Sequence, residues 1–368
     1  MAGATVMTVL GPVPAEALGA TLVHEHVFFD LGCYFSRAED DAGGEMAGAR
    51  VAPERRWWLQ AHPMNCRDNL LQDDLEVAVA EVGEFKAAGG GTLVDVTTVG
   101  ISPNPAGLAE VARRTGVNVV AGTGYYLGAS YPAEVGERSV EALADGMRRD
   151  LLVGFPGTAR VPAPPPVQGA GPAAPAAPGV RAGLVGELGV SHPPAPAELR
   201  VLAAAARVQR ELGCAVSVHP AGPADAAGAM EAIRRAVEAG LDPARTAVDH
   251  VENRFGTDLA AIREVASRGF WLEVDCFGRE CYYPHVNAQL PSDAERIRLV
   301  LGLLDAGLGS RLLFSQDICF KYELVRQGGH GYAHVLRTIR PRLLRSGVDA
   351  ATVERILVDN PRRFLAGS

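Results

Sequence analysis

Two histidines near the start of the chain are spaced to hold one metal ion together. His24 and His26 flank Glu25 at the end of an apolar run that begins at Thr21. In a β-strand, residues i and i+2 point to the same face, so both imidazoles face one point. Neutral imidazoles are common ligands of transition metals. The spacing therefore predicts part of a metal site, and the rest of the chain must supply the other ligands.

Four more ligand-type residues stand in or just after apolar runs later in the chain. They are Glu187 after 183–186, His219 after 215–218, His250 after 246–249 and Asp317 after 312–316. A single histidine in such a run is more often a hydrogen-bonded core residue than a ligand. Ligand-type residues at the ends of five apolar runs favour a metal site instead.

These residues match the requirements of two ions. The prediction places His24, His26 and Asp317 on one ion, His219 and His250 on the other, and Glu187 on both. A water held between two ions is acidified enough to act as hydroxide near neutral pH. Nitrogen and oxygen ligands without a thiolate favour zinc, with manganese, cobalt or iron as substitutes. The sequence therefore predicts a binuclear zinc hydrolase.

The elements that must position these ligands alternate regularly along the chain. The first strand carries His24 and His26, and seven more strands are predicted at 92–97, 117–122, 180–187, 214–219, 245–250, 270–275 and 311–317. Helices are predicted at 75–88, 105–115, 138–152, 195–212, 223–239, 257–268, 294–306, 333–346 and 350–358. Eight such units without a Gly-x-Gly-x-x-Gly turn predict an α/β fold, a closed (β/α)₈ TIM barrel forming one domain over 1–368. Active sites of such barrels lie at the carboxyl ends of the strands.

Two stretches interrupt this alternation. Residues 31–74 form a long connection, which we predict to be functional, such as a lid, or else to carry short helices. Residues 156–179 are rich in proline and alanine, with Pro164, Pro165 and Pro166 in the middle. Such a composition disfavours both a helix and a central strand. We therefore predict an exposed or disordered insertion before the fourth strand.

Composition and charge restrict the partners and the compartment. A net charge of -8 and a pI of about 5.6 argue against nucleic acid or an anionic membrane as the main partner. The chain has neither an 18-residue apolar run nor a basic leader, so we expect no membrane span and no signal peptide. The 6 cysteines include no C-x-x-C pair. We therefore expect free thiols, a cytoplasmic location and a small-molecule substrate.

With these motifs the chain resembles the amidohydrolase superfamily, and within it the phosphotriesterase-related branch of the phosphotriesterase family. The resemblance extends over nearly the whole chain and includes 24–26, 86–91, 122–126, 186–189, 218–220, 249–250, 316–317 and 328–332. Phosphotriesterases and lactonases of this family bridge their metals with a carbamylated lysine, whereas the phosphotriesterase-related branch has a glutamate there. Glu187 stands at that place, and neither Lys86 nor Lys321 lies near the fourth strand. The resemblance thus implies the branch with the glutamate.

The resemblance also implies an activity. It implies an amidase that releases acetate and a free amine from N-acetylated amines or amino acids such as N-acetyltaurine. It implies two divalent ions per chain, and homodimers are usual in the family. Two alternatives stay open. One is a lactonase or phosphotriesterase that acts on ester bonds, and the other is a non-catalytic barrel that binds metal for stability or for a partner.

Four residues are predicted to act beside the metals. A metal-bridging hydroxide would attack the carbonyl carbon, and Asp317 would take the proton and pass it to the leaving group. Tyr126 would donate to the developing oxyanion, unless it is a packed aromatic at the barrel mouth. Arg254 would pair with an anionic substrate tail, unless it forms a surface salt bridge. His330, in a glycine-rich loop, would touch the substrate or orient that loop.

Overall fold

Eight parallel strands form one sheet that curls almost into a closed barrel. The computed structural model describes residues 4–39, 41, 44–158, 179–220 and 222–367. The barrel strands are β1 (Ala20–Glu25), β2 (Gly90–Asp95), β3 (Asn118–Thr123), β4 (Leu184–Val190), β5 (Val216–Pro220), β6 (Thr246–Val248), β7 (Trp271–Val274) and β8 (Leu312–Phe314). They are hydrogen-bonded side by side in sequence order from β1 to β8. The predicted TIM barrel is confirmed.

The barrel closes through contacts between β1 and the residues that follow β8. The His24 N–H donates to Ser315 Oγ at 3.0 Å. The Asp317 N–H donates to the His24 carbonyl oxygen at 3.2 Å. The first and last ligand-bearing segments are therefore hydrogen-bonded to each other directly.

Seven helices connect successive barrel strands. They are α1 (Leu75–Ala87), α2 (Pro105–Thr115), α3 (Val140–Leu152), α4 (Pro196–Leu212), α5 (Ala226–Ala239), α6 (Leu259–Ser267) and α7 (Asp293–Asp305). All but α4 begin at a residue whose side chain accepts a hydrogen bond from the first turn, namely Asp74, Asn104, Ser139, Asp225, Asp258 and Ser292. Such caps satisfy backbone N–H groups that the helix itself leaves unpaired. They explain why each helix starts where it does.

Short elements fill the remaining connections. Strand pairs form between Thr5–Thr8 and Gly11–Pro14, between Phe29–Asp30 and Leu71–Gln72, and between Tyr282–Tyr283 and Ala288–Gln289. The connection 31–74 contains the short helices Gly32–Tyr34, Pro53–Arg55, Arg56–Ala61 and Arg67–Leu70, and short helices Ala133–Gly136 and Val251–Phe255 follow β3 and β6. After β8, π-helical turns at Val335–Ile339 and Arg355–Asp359 interrupt the two predicted helices, and the chain ends with helix Asn360–Ala366.

Three ligand-bearing strands differ from their predicted bounds. β4 extends beyond Glu187 to Val190, because residues 184–190 are buried throughout and pair with both neighbouring strands. Glu187 therefore lies inside β4, at a register shift, and not at its end. β6 and β8 are shorter than predicted, so His250 and Asp317 follow them in left-handed backbone conformations, with φ of 57° and 51°.

The amino-terminal end of the barrel is filled with apolar side chains. Val23, Leu184, Trp271 and Leu313 belong to a buried cluster that also includes Phe364 of the last helix. The rings of Trp271 and Phe364 lie 5.9 Å apart. Among the described residues, this end of the barrel is therefore a packed apolar core.

The predicted insertion lies almost wholly outside the described residues, which stop at Thr158 and resume at Gly179. The described ends of this stretch are joined to each other. The Val180 N–H donates to Thr158 Oγ1 at 3.0 Å, and the Phe155 N–H donates to the Val180 carbonyl oxygen at 2.8 Å. The chain therefore leaves and re-enters the described structure at one place.

Within the described ranges, no helix has the length and apolarity needed to span a membrane. All 6 cysteines are free.

Candidate metal centre

All six predicted metal ligands are buried and lie together at the carboxyl end of the barrel. His26 Nε2 lies 3.2 Å from Glu187 Oε1 and 3.4 Å from Asp317 Oδ1. His24 Nε2 lies 3.5 Å from Glu187 Oε2 and 3.8 Å from Asp317 Oδ1. These separations are those of donor atoms arranged around a common centre.

The second predicted set adjoins the first through Glu187. His219 Nδ1 lies 2.7 Å from Glu187 Oε2, and His250 Nε2 lies 3.0 Å from His219 Nδ1. Glu187 Oε1 thus faces His26, whereas Oε2 faces both His24 of the first set and His219 of the second. Glu187 therefore lies between the two sets, the place that a bridging carboxylate would occupy.

Two buried donor atoms in this cluster lack aligned hydrogen bonds. They are His24 Nε2 and Glu187 Oε2, both inaccessible to solvent, although Glu187 Oε2 has the ion-pair contact with His219 Nδ1 at 2.7 Å. A buried polar atom without a partner costs about 1–3 kcal/mol. A cation between these atoms would satisfy both, and the imidazole and carboxylate donors suit zinc. The buried histidines and carboxylates therefore fit a divalent metal.

A ring of outer hydrogen bonds orients the histidines. His24 Nδ1 lies 3.0 Å from Glu273 Oε2, and His250 Nδ1 lies 2.8 Å from Asp275 Oδ1. Each Nδ1–H donates to a carboxylate, which leaves the Nε2 lone pair free to face the cluster. His26 Nδ1 is likewise within hydrogen-bond distance of Thr97 Oγ1, at 2.9 Å.

Sequence reasoning missed Glu273 and Asp275, although a signal existed. Glu273 lies within the apolar run Trp271–Val274, and Asp275 follows it directly. A polar residue within or just after an apolar run is the same pattern that identified the candidate ligands.

Glu25 points away from the metal ligands and fixes the end of β8. It accepts hydrogen bonds from the Ser315 hydroxyl at 2.7 Å and from the N–H groups of Gln316 and Ile318 at 2.8 and 3.0 Å. Burial raises the pKa of Glu25 to about 7, although these donors oppose the shift. Glu25 therefore holds the segment that carries Asp317 against β1.

Asp317 is held on its other side by a buried arginine that sequence reasoning also missed. Arg279 Nη1 donates to Asp317 Oδ2 at 2.7 Å, while Arg279 Nε donates to Glu323 Oε1 at 2.7 Å. Burial raises the pKa of Asp317, but the charges of Arg279 and His250 outweigh it, so the pKa lies well below the usual value. Asp317 is therefore a carboxylate whose Oδ1 is free to face the cluster.

The histidines differ in their affinity for protons. Burial lowers the pKa of His219 to about 4, so this ring is neutral, the form that binds metals. Burial also lowers the pKa of His26, but hydrogen bonds with Asp317 and Glu187 raise it overall to about 9. The carboxylates of Glu187 and Asp249 likewise raise the pKa of His24 above its usual value, against the effect of burial. When no metal is bound, the two histidines of the first ligand set, His24 and His26, therefore tend to be protonated.

A cavity of about 140 Å³ opens above the metal ligands. Tyr34, Tyr126 and Arg254 are among its lining residues. Arg254 Nη1 donates to the Gly222 carbonyl oxygen at 2.9 Å, whereas its Nε is buried without a partner. No carboxylate of the described residues forms an ion pair with Arg254. Arg254 is thus buried and not in a surface salt bridge, and it places a guanidinium in the wall of a cavity that Glu187 and Asp317 also line.

Tyr126 lines the cavity, whereas His330 does not. The Tyr126 hydroxyl lies 3.3 Å from His219 Nε2, at the edge of the metal cluster. The His330 ring packs against the His334 ring at 5.3 Å, and a Cβ on Gly278 would come within 2.5 Å of it. The structure brings Tyr126 to the candidate site but sets His330 behind the loop that follows β7.

Comparison with known proteins identifies the family. The model of the phosphotriesterase family matches residues 4–161 and 174–365. The N-acetyltaurine hydrolase of Danio rerio is 35% identical over 364 residues, 98% of this chain and 97% of that protein. A phosphotriesterase-related protein of Nematostella vectensis is 34% identical and covers 99% of each chain.

A solved structure agrees with the sequence matches. The crystal structure of a resiniferatoxin-binding protein from Rhodobacter sphaeroides has a TM-score of 0.89 and 35% identity, covering 98% of this chain and 95% of that one. The chain belongs to the phosphotriesterase family. It is a hydrolytic enzyme of the phosphotriesterase-related type.

Proposed function

We propose that this hydrolase is a binuclear zinc amidase that cleaves N-acetylated amines with an anionic tail, in the manner of N-acetyltaurine, to acetate and a free amine. The observation that carries the proposal is the bridging position of Glu187 between two histidine sets, beneath a cavity whose wall contains the unpaired Arg254. The named activity of the Danio rerio relative supports the choice of an amide bond.

His24, His26 and Asp317 would hold one ion, His219 and His250 the other, and Glu187 both. Bound there, the ion pair would supply an acidified water and polarise the substrate carbonyl. Asp317 accepts the proton of the attacking water and returns it to the leaving nitrogen, as the C–O bond forms and the C–N bond breaks. The Tyr126 hydroxyl donates to the carbonyl oxygen as negative charge develops there.

Arg254 gives the substrate its orientation. A guanidinium with a free buried N–H binds a sulfonate or carboxylate through charge-assisted hydrogen bonds. Because Arg254 and the candidate metal ligands line one cavity, a tail bound to Arg254 would leave the acetyl group of the same molecule to reach the metal ligands. The same residue disfavours substrates with a cationic tail.

Acetate release from a panel of N-acetylated amines tests the proposal. The panel contains N-acetyltaurine, N-acetyl amino acids, a neutral N-acetyl amine, lactones and phosphotriesters. We expect the anionic N-acetyl compounds to be cleaved fastest, with loss of activity on chelation and recovery with zinc. A preference for lactones or phosphotriesters would replace the amidase by an esterase, and no turnover of any compound would favour a non-catalytic barrel.

Metal analysis of the purified protein tests the number and kind of ions. We expect two zinc ions per chain. Fewer than one ion of any kind per chain would contradict the binuclear centre.

A further inference from the structure

The Tyr126 hydroxyl has two polar neighbours and one open side. Its oxygen lies 3.3 Å from His219 Nε2, and the Tyr34 hydroxyl donates to it at 2.8 Å. Tyr34, Tyr126 and His219 all line the cavity above the metal ligands. The remaining direction around the Tyr126 oxygen therefore faces the space in which a substrate would lie.

The tautomer of His219 determines the direction of the first hydrogen bond. The Nδ1 atom of His219 faces Glu187 at 2.7 Å and is the atom that would bind the metal. A neutral imidazole that binds through Nδ1 carries its proton on Nε2. His219 Nε2–H then donates to the Tyr126 oxygen, so Tyr126 does not give its own proton to His219.

Tyr34 determines the direction of the second hydrogen bond. A phenol has one proton to donate and an oxygen that accepts hydrogen bonds. When both His219 and Tyr34 donate to that oxygen, the Tyr126 proton is left to face the cavity. The reverse bond would direct this proton at Tyr34. Negative charge developing on a substrate oxygen favours the first arrangement, because charge-assisted bonds are stronger and successive donors strengthen one another.

We propose that Tyr34 is a positioning residue that makes Tyr126 a hydrogen-bond donor to the substrate carbonyl oxygen. The proposal rests on the proposed function for the presence of metal and of a carbonyl substrate. The two rings meet edge to face, with centroids 6.1 Å apart and an interplanar angle of 86°, which fixes the hydroxyl groups relative to each other. Tyr34 ends the short helix Gly32–Tyr34, so the connection 31–74 contributes to catalysis through Tyr126.

Hydroxyl deletions test the order of these two residues. The variants are Tyr34→Phe, Tyr126→Phe and the double variant, with Tyr282→Phe as a control, because the Tyr282 hydroxyl bonds Asn287 in an exposed turn. We expect Tyr126→Phe to lower kcat about 100-fold, as for loss of an oxyanion donor. Tyr34→Phe should lower kcat about 10-fold with KM within about twofold, as for the loss of one supporting hydrogen bond. The double variant should equal Tyr126→Phe, because Tyr34 acts only through Tyr126.

A second measurement does not depend on turnover. A methyl ketone analogue, with CH₂ in place of the amide NH and a ¹³C-labelled carbonyl, is bound to each variant and its C=O stretch is recorded by infrared spectroscopy. Donation from Tyr126 lowers the frequency on binding to the wild-type protein. We expect a smaller decrease in Tyr34→Phe and the smallest decrease in Tyr126→Phe, with zinc content and unfolding temperature unchanged in both.

The outcomes separate this proposal from the proposed function. Wild-type kcat and an unchanged carbonyl shift in Tyr34→Phe would overturn it, and so would a double variant in which the two losses multiply. If the wild-type enzyme cleaves lactones and not amides, the same comparison is made with the lactone, whose carbonyl oxygen takes the same place. If no carbonyl compound is cleaved, the proposed function fails, and the infrared comparison alone decides the role of Tyr34.

Discussion

At the amino-terminal end of the barrel, Phe364 and Trp271 pack among aliphatic side chains, whereas at the carboxyl end the interior is crowded with histidines and carboxylates. The first region buries apolar surface, which stabilises the fold. The second buries ionisable groups, which costs free energy unless each finds a partner. His24 Nε2, buried without an aligned hydrogen bond, shows that the pairing among the described side chains there is incomplete. Stability and chemistry are therefore assigned to opposite ends, and substitutions at the two ends should have separable effects.

The largest effect is expected from Asp317→Asn at the carboxyl end. An amide cannot take the proton of the attacking water, so acetate release should fall about 10³-fold or more, in the upper range for a general base. Much of the zinc should remain bound, because the five other ligands are intact. Turnover and metal content are measured on the same preparation. Asp305→Asn, on an exposed part of α7, is the control, and activity retained by Asp317→Asn would remove Asp317 as the base.

At the other end, Phe364→Ala should affect stability alone. Removing a fully buried phenyl ring costs about 3–5 kcal/mol of unfolding free energy. Urea unfolding measures this loss, and kcat of the folded fraction should stay at the wild-type value. Leu344→Ala, at a side chain 40% exposed, should change little. A tenfold fall in kcat for Phe364→Ala with full zinc content would break the separation of the two ends.

Arg254→Gln should change substrate preference more than rate. Loss of a hydrogen-bonded charge costs about 1.5–3 kcal/mol, so KM for N-acetyltaurine should rise on the order of 10- to 100-fold. KM for a neutral N-acetyl amine should change less than threefold. Arg254→Lys, which keeps the charge but loses the planar fork, should lie between the two. An equal rise for both substrates would show that Arg254 supports the pocket and does not bind the tail.

One effect needs no substitution, namely a dependence of metal affinity on pH. Because the pKa of His26 is raised to about 9 in the metal-free centre, zinc must displace a proton from it below that pH. This proton alone should raise zinc affinity up to about tenfold per pH unit between pH 6 and pH 9, and the raised pKa of His24 should steepen the dependence, as measured by competition with a chelating dye.

The same raised pKa has a consequence for the metal-free protein. A group whose pKa is higher in the folded state than in the unfolded state stabilises the fold below its unfolded pKa. The contribution of His26 is complete below about pH 6.5 and is lost as the pH rises through about 9. We expect the unfolding temperature of the chelated protein to fall across this range, while the zinc-loaded protein shows no such fall. Parallel curves would contradict the proton occupancy of the first ligand set.

The burial of the six candidate ligands at one end of the barrel could be predicted from the sequence, because each lies in or just after an apolar strand and strand ends converge in a barrel. Glu273 and Asp275 share that pattern, but their roles depend on partners far along the chain. His24 and Glu273 are separated by 249 positions. Arg279 and Tyr34 lie in irregular connections after barrel strands. The path of such a connection cannot be predicted from the helix or strand periodicity of apolar residues. His330 follows β8 as the site residues do, yet its loop turns and places the ring behind Gly278.

The strand that carries Glu187 differs from its predicted bounds. The sequence predicts a strand end at Glu187, but β4 continues to Val190 with a register shift. By its residue type Glu187 stays a predicted ligand, while a pattern of apolar residues could not predict the backbone geometry that directs its side chain. The structure supplies that geometry.

The hydrogen bonds that join Val180 to Thr158 Oγ1 and to the Phe155 N–H have a consequence for insertions at this place. Because they fasten the chain before and after the intervening stretch, we expect its length and composition to vary without displacing β4. Gly157 and Gly179 lie beside the hairpin residues Val9 and Leu10, at the end of the barrel remote from the cavity. We therefore expect an enzyme in which an affinity tag or a fluorescent protein replaces this stretch to keep its activity.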